Sequence, residues 1–201
     1  GRVLPVIAGL KAEVDTPISI DSYKAEVAEA ALAAGASIVN DVWGAQRDPR
    51  IAEVAARAGA PIILMHNREA IDASLDIFDD VLRFLERSIA IATEAGVPPS
   101  QIVVDPGIGF GKTIRQNLDL IRHLDRLAVL GCPVLLGASR KSTLGRITGR
   151  EVPAERLAAS IAAHLYGARR GAAIIRAHDV APHIDALKTW AAIEDSMKAD
   201  L

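Results

Sequence analysis

The stretch SIVNDVWGAQRDPRIAEVAARAGAPIILMH, from Ser37 to His66, decides the fold. Ser37 to Val42 is a short β-branched run that carries Asn40-Asp41 near its end. A polar turn follows, then an Ala-rich amphipathic segment from Pro49 to Ala58, stopped by Gly59. Pro61 to His66 is the next apolar run. Two short apolar runs flanking a helical pattern read as one βαβ unit. Glycine suits the left-handed turn after a helix, and proline is tolerated at a strand's first residue, where no ladder donor is needed.

The same module repeats outward in both directions. Strands are expected at Pro17 to Asp21, Ile102 to Asp105, Pro133 to Gly137 and Ala172 to Ala177. Helices are expected at Tyr23 to Ala34, about Leu75 to Ala95, about Asn117 to Val129, about Ala154 to Arg169, and about Pro182 to Lys198. Near-continuous apolar runs belong to parallel strands covered by helices. No G-x-G-x-x-G turn follows the first strand, which argues against a dinucleotide-binding sheet. The expected fold is therefore α/β: a (β/α)8 TIM barrel, incomplete here, with about six βα units and the two N-terminal units missing. Residues 1–201 are read as a single, N-terminally truncated domain, since no linker or low-complexity segment interrupts them. Arg2 to Ile7 resembles the tail of a helix, so the chain is expected to begin mid-protein. A self-contained open sheet is the alternative.

Bulk composition narrows the function classes. Half of the 201 residues are hydrophobic and only 3% are aromatic, so the core is aliphatic. The 23 Lys and Arg nearly balance the 25 Asp and Glu, leaving a net charge of −2 and no bulk attraction to nucleic acid or membrane. The lone Cys132 cannot form an internal disulfide, which fits the cytoplasm.

Polar residues of unusual type gather where the apolar runs end. These ends are Asp21, Asn40-Asp41, Met65-His66-Asn67, Asp105-Pro106-Gly107, Gly137 to Lys141, and Arg176 to Asp179. Barrels and open α/β sheets bind ligands at the carboxyl ends of their strands. Each end has a structural alternative: Asp21 could cap the next helix, Asn40-Asp41 could be turn chemistry, and Arg140-Lys141 could be solvated. Holding all those alternatives at six strand ends at once is a heavier demand than one shared site. A buried Asp105 needs donors, and a 2-amino-4-oxo pyrimidine edge supplies a pair of N–H groups. Asp21 and Asn40 could bond further ring nitrogens. Lys141, Arg176 and His178 form an anion-binding group, and residues 176 and 178 face the same side of an extended backbone. Together these residues call for a flat, guanine-like heterocycle carrying an anion. The Gly-rich Asp105 to Lys112 loop lacks the Lys-Ser/Thr ending of a P-loop.

These motifs, in order, resemble the dihydropteroate synthase family of pterin-binding enzymes. They are Pro-Ile-Ser-Ile-Asp21-Ser, Ile-Val-Asn40-Asp41-Val, Leu-Met65-His66-Asn-Arg, Asp105-Pro-Gly-Ile-Gly-Phe110-Gly-Lys112, Leu-Gly137-Ala-Ser139-Arg140-Lys141-Ser142 and Arg176-Ala-His178-Asp179-Val. The resemblance covers nearly the whole chain. It implies condensation of a dihydropterin CH2-pyrophosphate with p-aminobenzoate, releasing pyrophosphate, with Mg2+ as cofactor. Carried over by motif, Asp21, Asn40 and Asp105 hold the pterin, and Met65, Phe110 and Gly137 line the substrate site. Lys141 sits between the two substrates, Ser142 lies near the aminobenzoate carboxylate, and Arg176 and His178 bind pyrophosphate. Asp105, Lys141, Arg176 and His178 are the implied catalytic set.

The chain departs from the family in two ways. The family's Asp-Thr is Asp21-Ser22 here, which keeps the hydroxyl. Two N-terminal loops that close the family's site, one supplying an Asn linked to magnesium, are absent, so no metal ligand is named in this chain. The isolated chain is expected to be inactive. Rival readings are a methyltetrahydrofolate-type methyltransferase, a catalytically silent binding partner, and a Schiff-base aldolase using Lys141. The family's homodimers suggest Ile184, Leu187, Trp190 and Ile193 as an interface; the same four residues could equally be the core face of that helix.

Overall fold

The structure is a computed structural model and describes residues 2–195. Its strands are β1 (Ser19–Asp21), β2 (Ile38–Asp41), β3 (Ile62–Met65), β4 (Ile102–Asp105), β5 (Val134–Leu136) and β6 (Ala172–Ile175). Each pairs in parallel with the next, in the order β1-β2-β3-β4-β5-β6. Helix α1 (Leu4–Glu13) precedes β1; it starts within the segment expected to be a helix tail and runs on past it, so Leu4 to Ile7 open a helix and do not end one. Helices α2 (Ala25–Ala33), α3 (Arg50–Ala58), α4 (Ile77–Glu94) and α5 (Ile114–Arg122) follow β1 to β4 in turn. Two helices, α6 (Ser142–Thr148) and α7 (Leu157–Arg169), lie between β5 and β6, and α8 (Val180–Glu194) follows β6. Consecutive parallel strands joined by helices form the wall of a (β/α)8 barrel, here a curled half-barrel of six strands.

Register separates the two faces of this wall. Paired residues in a parallel ladder share a face, and faces alternate along each strand. Val39, Ile62, Leu64, Ile102 and Val104 carry one parity, are fully buried, and pack beneath the helices. Asp21 pairs with Asn40, Asn40 with Ile63, and Met65 with Asp105, so these residues share the other face, the barrel interior.

A register shift between β5 and β6 extends this interior set. Leu135 pairs with Ile174 although Val134 pairs with Ala172, so β6 carries one extra residue. Without that bulge Arg176 would fall opposite Ala138, on the helix-facing parity. With it, Arg176 stands beside Gly137 on the interior face. Re-aiming a side chain is a common use of bulges.

Two helix predictions differ from the structure. The segment expected from about Asn117 begins at Ile114, because Thr113 and Gln116 form a capping box: the Thr113 hydroxyl accepts from the Gln116 backbone N–H, and Gln116 Oε1 accepts from the Thr113 backbone N–H. It also breaks at His123, and Leu124–Leu130 continues as a 3₁₀ helix. Helix α6 was not expected; it is a short turn of helix closed by Gly149. The expected end of the last helix, Lys198, lies outside the described residues. Among the described residues, no helix is long and apolar enough to cross a membrane.

Candidate active site

The interior face ends in a mouth built by the loops that leave β1 to β6. A cavity of about 510 Å³ opens there, lined by Gly137, Ser139, Lys141, Arg176 and His178 among others. Asp105 borders it, because a Cβ added at Gly137 would stand 3.9 Å from Asp105 Oδ2 and 3.8 Å from Arg176 Cβ. Gly137 thus lies between the Asp105 carboxylate and the base of the Arg176 side chain.

Asp105 is buried, and burial pushes its pKa up to about 6. The opposing influences are, in order, the Gly107 N–H, Lys112, Lys141 and Arg176. Gly107 N–H donates to Oδ1 at 2.7 Å, which leaves Oδ2 toward the cavity. Gly107 has φ +69°, and a Cβ there would collide with the His66 carbonyl oxygen, so only glycine fits. Lys112 is buried below the loop and donates to the Gly107 and Phe110 carbonyls at 2.8 and 3.0 Å. Burial lowers its pKa to about 7, against the attraction of Asp105. His66 is driven to about 2, first by burial and then by Lys112 and Arg68. It is thus neutral, and its 3.1 Å contact with Asp80 is an Nε2–H donated to the carboxylate.

The cationic side is held by the loops after β5 and β6. Lys141 Nζ lies 4.0 Å from the centre of the Phe110 ring, and burial lowers its pKa despite the nearby Asp105. Arg140 occupies the left-handed region at φ +57° and grips Asp179 through two bonds of 2.6 and 3.0 Å. Its N–H donates to Ser160 Oγ, and its carbonyl accepts from Arg156. Ser139 Oγ accepts the His178 N–H at 3.2 Å and lies 2.9 Å from His178 Nδ1. Arg176 Nη2 donates to Asp21 Oδ2 at 3.0 Å across the mouth.

Most residues singled out by sequence thus share one face or one cavity. Asp21, Asn40, Met65, Asp105, Gly137 and Arg176 lie on the interior parity, with Lys141, Phe110 and His178 around the mouth. Ser142 does not line that cavity; it opens α6 and lines a neighbouring cleft with Arg146 and Arg150. Asp41, which sequence left as site or turn, is turn chemistry. It has the helix-facing parity, is fully buried, and accepts from the N–H groups of Trp43 and Ala45. Burial still raises its pKa to about 6. Sequence reading gave no role to Lys112 or Ser139, although both stand inside the quoted motifs. It also passed over His164, whose Nε2 accepts the Ala138 N–H at 3.0 Å, because a histidine within an Ala-rich helix carries no motif.

The family model described as "Pterin binding enzyme" matches residues 1–178. The dihydropteroate synthase of Clostridium beijerinckii is 44% identical over 188 residues, covering 93% of this chain and 69% of that protein. That of Bacillus subtilis is 47% identical over 179 residues, covering 89% of this chain and 62% of that protein. Among solved structures, the Xanthomonas albilineans dihydropteroate synthase with 4-aminobenzoic acid superposes with a TM-score of 0.92 at 45% identity, covering 96% of this chain and 70% of that one.

Proposed function

Since this chain belongs to the pterin-binding enzyme family, we propose that it forms the substrate-holding part of a dihydropteroate synthase, a transferase of folate biosynthesis. The reaction joins a dihydropterin CH2-pyrophosphate to p-aminobenzoate and releases pyrophosphate. The observation that carries this reading is the cavity lined by Gly137, Lys141, Arg176 and His178, with Asp105 Oδ2 close to its Gly137 wall. We take residues 1–201 as one pterin-binding domain.

Asp105 Oδ2 is free to accept N–H donors from the pterin's pyrimidine edge, with Asn40 and Asp21 on the same face. C–O cleavage leaves positive charge spread over the pterin, and a fixed carboxylate in a low-dielectric site stabilises it. Lys141, Arg176 and His178 stabilise the departing pyrophosphate, the last oriented by Ser139. The arylamine attacks in a pre-aligned pocket, and as a free base at neutral pH it needs no dedicated general base.

Mg2+ is the proposed cofactor, but this chain offers no cage for it: among the described residues, no three His, Cys, Asp or Glu side chains group for a metal. No ligand is assigned and no step runs through the ion. Homodimerisation is proposed through α8, where Ile184 and Ile193 are 43% and 69% exposed. The cytoplasm is the proposed location, in keeping with the free Cys132.

Calorimetry tests the reading. This chain should bind dihydropterin pyrophosphate, and should bind p-aminobenzoate only once pyrophosphate is present. Equal aminobenzoate binding with and without pyrophosphate would sink the assignment.

A further inference from the structure

His164 of α7 and His183 of α8 are both buried behind the cationic loops, with ring centroids 4.9 Å apart and planes at 56°. Each makes one backbone hydrogen bond, and each bond fixes a tautomer. His164 Nε2 accepts the Ala138 N–H at 3.0 Å, so its ring proton stands on Nδ1. His183 Nδ1 faces the Asp179 carbonyl at 2.6 Å, and a carbonyl only accepts, so Nδ1 carries a proton and in the neutral ring Nε2 keeps its lone pair. The two atoms left over are His164 Nδ1 and His183 Nε2, both buried with no hydrogen-bond partner among the described residues. One is a donor and the other an acceptor. Buried polar atoms are rarely left unpaired, and these two complementary atoms sit on rings whose centres are 4.9 Å apart.

We infer that His164 Nδ1–H donates to His183 Nε2, completing a relay from the Ala138 N–H through both rings to the Asp179 carbonyl. Ala138 precedes Ser139, which holds His178, and Asp179 grips Arg140, which precedes Lys141. The relay therefore fixes the separation of the two loops that carry Lys141 and His178. His164 and His183 are positioning residues for the anion pocket. Burial, with His183 as a lesser influence, lowers the His164 pKa to about 4, so its tautomer persists at neutral pH.

The positioning role rests on the function proposed above, whereas the tautomers do not, so two measurements separate them. Long-range ¹H–¹⁵N NMR on histidine-labelled chain should find both rings as Nδ1–H tautomers; an Nε2–H proton on either ring would overturn the relay. Inorganic pyrophosphate is then titrated into wild type, His164→Leu and His164→Gln, with thermal unfolding followed in parallel. His164→Leu should weaken pyrophosphate binding roughly fivefold to tenfold, the scale of one lost hydrogen bond, and His164→Gln should recover most of it by offering Ala138 an acceptor. Unchanged affinity in a folded His164→Leu variant would overturn the positioning role. If wild type itself binds no pyrophosphate, the anion-pocket reading and the positioning role fall together, and the NMR result still decides the relay.

Discussion

Asp21 and Arg176, 155 residues apart in sequence, meet at 3.0 Å and tie the mouth of the first strand to that of the last. Both side chains are about half exposed, 47% and 58%. An exposed pair of this kind contributes at most about 1 kcal/mol, so a ligand can open it at little cost. Opening is what the proposed chemistry requires, because Asp21 is to face the pterin and Arg176 the pyrophosphate.

The variant Asp21→Asn should therefore separate the two ligand halves. Releasing Arg176 should tighten inorganic pyrophosphate roughly twofold to fivefold, the scale of a weak surface pair. Pterin without pyrophosphate should bind more weakly, and the thermal midpoint should hardly move. Titration of each half-ligand checks this, and the pyrophosphate gain should shrink in high salt. Equal weakening of both half-ligands would show that Arg176 gains nothing by release.

The raised pKa of Asp105 gives a pH dependence with a defined sign. Its folded value of about 6 lies above the ordinary carboxylate value of 3.8, so the native protein holds a proton that the unfolded chain has lost. Between those values the ligand-free protein loses stability as pH rises, and Asp41 adds to the same trend. Ligand binding runs the other way, because N–H donors need the carboxylate. Pterin affinity should fall up to tenfold per pH unit below about 6, and Asp105→Asn should flatten that dependence while abolishing most affinity. Calorimetry from pH 5 to 8 measures both.

Two glycines with nearly equal φ distinguish steric contact from backbone strain. Gly107 and Gly131 have φ +69° and +68°, but a Cβ collides with the His66 carbonyl in the first and meets nothing within 4 Å in the second. Gly131→Ala should cost about 1 kcal/mol, the penalty of a left-handed non-glycine residue. Gly107→Ala should cost more than about 3 kcal/mol, since the carbonyl cannot move without breaking the His66–Asp105 strand contact. Denaturant unfolding of both variants compares them, and equal losses would mean that the Asp105 loop simply shifts aside.

The alternation of apolar runs and Ala-rich segments made the half-barrel legible, since period and glycine stops are local properties. Site membership was legible for a related reason: strand ends in a parallel sheet converge whatever the strand order. The register was not legible. Nothing in Gly171 to Ala177 announces the bulge that turns Arg176 inward, because a one-residue slip is decided by packing between strands. Asp41 could not be told from Asn40, since adjacent residues point to opposite faces and only the register with the neighbouring strands tells which is inside. The α7–α8 histidines escaped for the same reason, their meaning arising from contacts between distant segments.

Arg140 combines a strained backbone with a two-pronged ion pair, and two substitutions take these apart. Its φ of +57° favours glycine, while its bonds to Asp179 at 2.6 and 3.0 Å need a planar guanidinium. Arg140→Gly relieves the backbone but removes the clasp between the two anion-binding loops. Arg140→Lys keeps a charge but offers Asp179 only a point contact. If the clasp is what positions Lys141 and His178, both variants should lose pyrophosphate affinity, by roughly tenfold in glycine and less in lysine. The clasp also lowers the Asp179 pKa, so in wild type its contribution is present above the ordinary carboxylate range and fades as the pH falls through the lowered value. The wild-type advantage over Arg140→Gly should accordingly narrow in acid. Pyrophosphate titrations on all three proteins at neutral and acidic pH measure this, and an Arg140→Gly variant that binds as tightly as wild type would assign the loop's order to its backbone alone.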